Sequence, residues 1–290
     1  LVRNAERWGQ TPRQNRMFGA QEWRRIMMAR SLRTALVALL AGTALPLTAA
    51  AQEWYAGGSV SWLQQNDSSN SGTTGTFATG NGAPVIPLGT EIADGTSYGW
   101  DTEFDGGYGL SGEVGLRYGY GLRSGIEITY TKADVDTHGG VTVGGAGIDG
   151  VDAAVLTGSA EQLGATVGDV VSAGEGDISG LGVFANAYYD FNTEGRLQPY
   201  LGGGVGFMDV DVDYSPSGVG IVDGGETKFA WQLKAGATWR VTDMWDVYGE
   251  YAYRQTDDIE VDNDLFPGTL DIENQQNLFS VGTRIRFDTF

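Results

Sequence analysis

The 290-residue chain contains no cysteine, a single histidine and only seven prolines. Without cysteine it can form no disulfide, no thiolate metal site and no cysteine nucleophile. With His138 as its only histidine it cannot build a cluster of histidine ligands, and a Ser-His or Asp-His catalytic site would have to form around that one residue. We therefore expect no cofactor, no bound metal and no enzymatic activity, and we interpret His138 as a polar residue of a long loop.

Basic residues are scarce after residue 52. Residues 1–52 hold eight of the 18 basic residues and two of the 37 acidic ones, which leaves 10 basic and 35 acidic residues for the rest of the chain. Such a negative field repels phosphate, so nucleic acid is excluded as a partner. We interpret the acidic residues as solvated loop positions, with binding of divalent cations as the alternative.

The N-terminal region has the features of an export signal. Arg30 and Arg33 precede a short apolar run, 35–47, and a small-residue cleavage site ending at Ala51. Residues 27–51 are therefore predicted to be a signal peptide, and 1–26 an over-extended, disordered start. The apolar run is short for a membrane-spanning helix, which takes about 20 residues, so an anchor helix is the weaker alternative.

After residue 52, apolar residues recur with a period of two. In 229–241, Phe229, Trp231, Leu233 and Trp239 share one parity, which places them on one face of a strand. Similar segments are predicted at about 54–62, 106–118, 123–132, 178–191, 198–212, 229–241, 245–256 and 277–287.

Short connections (119–122, 192–197 and 242–244) alternate with long ones (63–105, 133–177, 213–226 and 257–276). An even number of such strands with alternating loop lengths is typical of membrane barrels, and backbone groups in hydrocarbon can all pair only if the sheet closes. We predict an all-β fold, an eight-stranded antiparallel up-and-down transmembrane β-barrel formed by 52–290. A soluble sandwich or lipocalin-like barrel is the alternative.

Three passages carry a family resemblance. They are 198–207 (QPYLGGGVGF), the pair 230–236 and 248–254, and 282–287 followed by Phe290. The sequence resembles the opacity-protein-like and OmpA-type eight-stranded barrels of Gram-negative outer membranes. The resemblance implies residence in the cell outer membrane, contact with its lipid and lipopolysaccharide, and help from periplasmic chaperones during biogenesis. It also implies that Phe287 or Phe290 is the aromatic signal read by the barrel-assembly machinery. With no periplasmic peptidoglycan-binding domain expected, tethering to the wall is not implied.

The parity opposite the apolar one carries charged residues, which a barrel would point into its lumen. The predicted lumen network comprises Glu113, Arg117, Arg123, Glu127, Lys234, Arg240, Asp246, Glu250, Arg254, Arg284 and Arg286, with Asp190 as a further inward acid. Because an eight-stranded barrel is just wide enough for side chains to fill, these charges should pair. We expect Glu250 to pair with Arg284 or Arg240 at the centre.

This pattern favours a structural or surface-interaction barrel with acidic extracellular loops and a charge-plugged lumen. A narrow pore for ions or small solutes is the second hypothesis, and an outer-membrane hydrolase is the third. The extracellular ligand of such a barrel cannot be named from the sequence.

Overall fold

The computed structural model describes residues 53–287. The predicted signal peptide, the segment 1–26 and Phe290 lie outside the described residues. None of the helices within 53–287 has the length and hydropathy to cross a membrane.

In chain order the strands are β1 (Glu53–Gln65), β2 (Ser68–Thr74), β3 (Phe77–Ala78), β4 (Glu91–Ile92), β5 (Ser97–Phe104), β6 (Gly106–Arg117), β7 (Leu122–Val143), β8 (Ala146–Gly147), β9 (Gly176–Asp190), β10 (Leu197–Tyr214), β11 (Val222–Arg240), β12 (Trp245–Thr256), β13 (Ile259–Asp262), β14 (Gly268–Ile272) and β15 (Gln275–Phe287). Two short helices, α1 (Ala154–Thr157) and α2 (Val167–Val171), interrupt the connection between β8 and β9.

Eight of these strands form a closed antiparallel ring. The order is β1, β6, β7, β9, β10, β11, β12 and β15, and β15 pairs with β1 from Trp54↔Phe287 to Gln65↔Gln276. The eight predicted strands correspond one to one to the strands of this ring, which confirms the predicted fold class. Closure leaves no sheet edge in the ring, as a sheet in hydrocarbon requires.

The outward face of the ring is apolar. Val281 is 69 % exposed, whereas Tyr55 on the inward face is completely buried. Aromatic residues lie at both ends of the outward face: Trp54, Trp239, Trp245 and Phe287 near the short turns, and Trp62, Tyr108, Tyr130 and Phe279 near the long connections. Two aromatic girdles around an apolar band define the lipid-facing surface of a membrane barrel, with the short turns on the periplasmic side.

The long connections form an ordered cap above the barrel, where the sequence predicted loops. Strands β13, β14, β2, β5 and the outer part of β7 make one sheet that continues the barrel wall, and β8 adds to β7. The carboxylate of Asp152 accepts from three backbone N–H groups, those of Ala154 and Leu163 at Oδ1 and that of Gly164 at Oδ2, which fixes the turn around α1. The prediction failed here because the Ser- and Gly-rich composition of 63–105 conceals alternating buried positions such as Tyr98, Trp100 and Thr102.

The alternation reverses where the wall leaves the membrane. On β10, outward Leu201, Val205 and Phe207 are followed by outward Asp209, Asp211 and Asp213. The inward positions change in the opposite sense, from Gln198 and Tyr200 to the buried apolar run Met208, Val210, Val212 and Tyr214. The barrel interior is therefore polar at membrane depth and apolar within the cap.

Candidate functional site

The polar interior begins at the periplasmic end with two carboxylates among arginines. Asp190 accepts from Nε of Arg123 at 2.9 Å and lies 3.4 Å from Nη2 of Arg117. Asp246 lies 3.3 Å from Nε of Arg286 and 3.9 Å from Nη1 of Arg117. Because Arg117 contacts both carboxylates, it links the two pairs across the lumen floor.

Above this floor, tyrosines surround a carboxylate. The hydroxyls of Tyr55 and Tyr188 donate to Glu113 at 2.7 and 2.5 Å, and the amide of Asn186 donates to it at 2.9 Å. The guanidinium of Arg123 lies over the rings of Tyr188 (4.2 Å) and Tyr55 (5.5 Å). Cations stack favourably on aromatic faces, so Arg123 is stabilised by ring faces as well as by Asp190.

The third layer centres on Glu127, which is 2 % exposed. Lys234 Nζ forms an ion pair with one carboxylate oxygen of Glu127, and Arg254 Nη2 lies 3.3 Å from the other. Lys234 also contacts Glu250 at 3.1 Å, and the hydroxyl of Tyr200 donates to Glu250 at 2.8 Å. A single lysine therefore joins two buried carboxylates.

The expected pairing of Glu250 with Arg284 or Arg240 is wrong. Across β12 and β15, Arg284 is paired with Asp246 and Glu250 with Ser280, so Arg284 lies one layer lower. There its guanidinium contacts the rings of Tyr248 (4.7 Å) and Tyr55 (5.1 Å). Arg240 lies at the last position of β11 and donates to the Thr193 carbonyl in a periplasmic turn.

All eleven predicted network residues thus point inward. Ten of them meet in three stacked layers, while Arg240 lies at the periplasmic edge and borders the floor cavity. The sequence analysis missed the tyrosines that connect these layers, Tyr55, Tyr188, Tyr200 and Tyr248. They share the inward parity of the charged residues, which is the signal that could have found them.

A cavity of about 240 Å³ opens at the periplasmic floor beside Arg117, Asp190 and Arg240, but the free space in the layer above it is small. The cavity bordered by Ser59, Ser111, Glu113, Tyr248 and Arg284 measures about 10 Å³, room for no more than one water molecule. Above it, the guanidinium of Arg254 lies 4.7 Å from the Phe184 ring, which is itself completely buried.

His138 occupies a different place from the one predicted. It lies on the outer part of β7, is 2 % exposed, and its Nδ1 is 2.8 Å from Oγ1 of Thr102. Burial among apolar neighbours lowers the pKa of His138 to about 4. Its predicted role as a polar loop residue is wrong because the cap strands bury it, and it is a neutral interior side chain.

Phe287 ends β15 at the periplasmic girdle, where it is paired with Trp54 and faces outward. Within 53–287, no group of three His, Cys, Asp or Glu side chains converges as a metal site would require.

A closed ring with a lipid-facing apolar band and a polar interior defines an outer-membrane β-barrel. The family model described as outer membrane protein beta-barrel domain matches residues 34–287, so the chain belongs to that family and resides in the outer membrane. No curated protein matches the chain.

Solved structures of similar fold include other outer-membrane proteins. OprG from Pseudomonas aeruginosa is 13 % identical, with 83 % of this chain and 97 % of OprG covered and a TM-score of 0.48. Neisserial surface protein A is 16 % identical, with 81 % and 97 % covered and a TM-score of 0.40. The Escherichia coli outer membrane protease OmpT is 10 % identical, with 81 % and 97 % covered and a TM-score of 0.38.

Proposed function

We propose that this protein is a non-conducting, non-catalytic barrel that holds a rigid acidic cap at the cell surface. The observation that carries the proposal is the double filling of the interior, first by the charged layers around Glu127 and then by the apolar residues above them. Its work would be done by the outer surface, as a structural component of the envelope or as an interaction surface.

The filling of the lumen supports the absence of conduction. Arg123 and Arg254, both 2 % exposed, cross the lumen and are fixed by carboxylates and ring faces. A permeating ion would have to separate these pairs and then cross an interior lined by Met208 and Leu278, which are 0 and 2 % exposed. Separating a buried ion pair costs several kcal/mol, about 3–5, and an apolar constriction excludes hydrated ions.

The charge of the cap supports a surface role. Its strands carry acids at alternate outward positions, as at Asp134 and Asp136 on β7 and at Glu260 and Asp262 on β13. The segment 133–177 contains no lysine or arginine. A fixed array of one sign attracts cations and basic polypeptides, so a basic partner is the class that this surface would recruit.

The surroundings of His138 support the non-catalytic part of the proposal. A general base must reach a nucleophile and open to substrate, whereas His138 is buried and bonded to Thr102. Glu113 and Glu127, which share Asn186 as a donor, are enclosed in the lumen network instead of a cleft.

The proposed partners follow from the position of the upper aromatic girdle and of the last strand of the ring. Lipopolysaccharide would surround the upper girdle at Tyr108 and Tyr130, with Lys132 beside them already paired with Asp177 at 3.0 Å. The barrel-assembly machinery would read the terminal aromatic residue, for which outward-facing Phe287 is suitably placed.

Planar-bilayer recording of the purified protein tests the proposal. We expect no steady channel openings from the wild type. The variant R254A should also remain silent, because the Arg123–Asp190 pair below it and the apolar layer of Met208 and Leu278 above it still close the lumen. V281A on the lipid face is the control and should be silent as well. Reproducible openings of the wild-type protein would refute the proposal and favour a narrow pore.

A further inference from the structure

The floor cavity at the periplasmic end of the barrel is large enough to hold a small organic group. It measures about 240 Å³ and is bordered by the turn 119–121 between β6 and β7, by Thr193 in the turn after β9, and by Arg240 at the end of β11. Arg117 and Asp190 also line it. At about 30 Å³ per water molecule, this space corresponds to about eight waters.

The ion pairs around this cavity leave one arginine over. The floor contains four arginines and three carboxylates, namely Arg117, Arg123, Arg240, Arg286, Glu53, Asp190 and Asp246. Each carboxylate is contacted only by the first, second or fourth of these arginines. Among residues 53–287, Arg240 therefore forms no ion pair, and the surplus positive charge of the floor lies beside the cavity.

Most of the donors of Arg240 are unused. Nη2 donates to the Thr193 carbonyl at 3.2 Å, which positions the guanidinium at the border of the cavity. Nε is buried and has no hydrogen-bond partner within 53–287. The side chain is half-buried, and a guanidinium carries five N–H donors in a planar fork. An acceptor in the cavity would therefore find free donors on Nη1 and Nη2.

The turn beside Arg240 exposes an aromatic ring. Tyr120 lines the cavity, is 93 % exposed and has a left-handed φ of 66°. Glycine adopts this conformation without strain, whereas a bulky residue rarely does. Exposure gives the ring no compensating burial, so the fold alone does not account for a tyrosine at this position. A ligand in the cavity would cover part of the ring.

We propose that this cavity binds the free carboxylate at the end of a periplasmic peptide, with Arg240 donating to the carboxylate and Tyr120 covering the apolar part of the terminal residue. The planar fork of arginine matches a carboxylate. Glu53 and Asp190 on the same wall disfavour an anion of higher charge such as phosphate. This site lies on the opposite side of the membrane from the cap and so goes beyond the proposed surface role.

Two small probes test the carboxylate directly. N-acetylalanine and N-acetylalaninamide have nearly the same shape, fit a cavity of about eight waters, and differ in the carboxylate. Both are titrated calorimetrically into the protein folded in uncharged detergent micelles at pH 7 and low salt. We expect the acid to bind roughly tenfold more tightly than the amide and than inorganic phosphate. In ¹⁵N-arginine-labelled protein, the acid should also move the Nε–H signal that is missing in R240K.

Three variants locate the site, with unheated electrophoretic mobility as the check that each is folded. R240Q should abolish saturable binding of the acid. R196Q is the matched control, because Arg196 is an exposed arginine of the turn after β9 that does not border the cavity, and it should bind as the wild type does. Y120G suits the left-handed backbone and should fold normally, but it should weaken binding roughly threefold because the ring is lost.

Isolated wall sacculi distinguish the two sources of peptide carboxylates. Retention of the wild type but not of R240Q on pelleted sacculi would identify the stem peptides of the wall, whereas binding of N-acetylalanine without retention on sacculi would identify protein C-termini. Equal affinity for the acid and the amide would overturn the proposal. So would wild-type affinity in R240Q, or an equal loss of affinity in R196Q and R240Q, since the latter would reflect only the overall charge of the turns.

Discussion

Removing the carboxylate of Glu127 should destabilise the barrel more than removing any exposed acid. In the variant E127A, Lys234 keeps Glu250 at 3.1 Å, but Arg254 keeps only neutral partners such as Gln232, whose Oε1 is 3.0 Å from Nη2. Breaking a buried ion pair by removing one partner leaves an uncompensated charge and reduces stability by about 3–5 kcal/mol. The matched control is E226A, since Glu226 pairs with Lys228 at 2.9 Å with 41 % of its side chain exposed. For such exposed pairs we expect about 0–1 kcal/mol.

Urea unfolding in lipid vesicles, followed by tryptophan fluorescence and by electrophoretic mobility without heating, measures both variants. A double variant, E127L/R254M, replaces both charges by apolar side chains and should recover most of the lost stability, because neither partner is left alone. If E127A and E226A shifted the midpoint equally, the assignment of Glu127 as the centre of a desolvated network would be refuted.

Three further predictions concern backbone packing, pH and surface exposure. A Cβ at Gly206 would collide with the Val183 carbonyl, whereas at Gly112 the nearest atom is 4.0 Å away. G206A should therefore lower stability by about 1–3 kcal/mol, and the control G112A should leave the urea midpoint unchanged. Equal midpoints for the two variants would contradict this packing. As pH falls, an unfolded chain protonates its histidine near 6.5 but the folded protein protonates His138 only near 4. The wild type should thus lose stability between these values, by up to about 1.4 kcal/mol per pH unit, relative to H138F, and parallel pH profiles of the two would exclude a buried neutral histidine. Proteinase K added to intact cells should cut slowly, at the exposed tips 83–95 and 158–164, because the other cap segments are held in strands, short helices and hydrogen-bonded turns. Rapid cleavage throughout the cap would show that it is not ordered.

Two-residue periodicity was sufficient to predict the strands of the ring. In a membrane the outward parity must be apolar along the entire span. Segments such as 229–241 can therefore be recognised by their alternation of apolar and polar residues. The same alternation predicted that Glu127, Lys234 and Arg254 point toward the barrel axis. The eight-stranded closure then followed from the need to pair every backbone group.

The cap escaped the sequence analysis because the same periodicity changes sign outside the membrane. Asp209, Asp211 and Asp213 continue the outward parity of Phe207, but as acids instead of apolar residues. The predicted strand 198–212 already included the first two, but in the other connections the same reversed alternation was taken for loop sequence. The change of solvent from lipid to water reverses which parity is apolar, and this reversal was present in the sequence.

The particular pairs could be determined only by the tertiary structure. Alternation specifies the face on which a side chain lies, but strand register determines its height along the barrel axis. Because Glu250 lies one layer above Arg284, the partner of Glu250 is Lys234 and not Arg284. The burial of His138 depends on Trp100 and Thr102 of β5 and on Tyr214 of β10, which are far from it in the chain. The sequence by itself thus determined which residues face lipid and which face the axis, while the contacts among the inward residues required the closed sheet, since they join strands whose separation in the chain carries no information about their register.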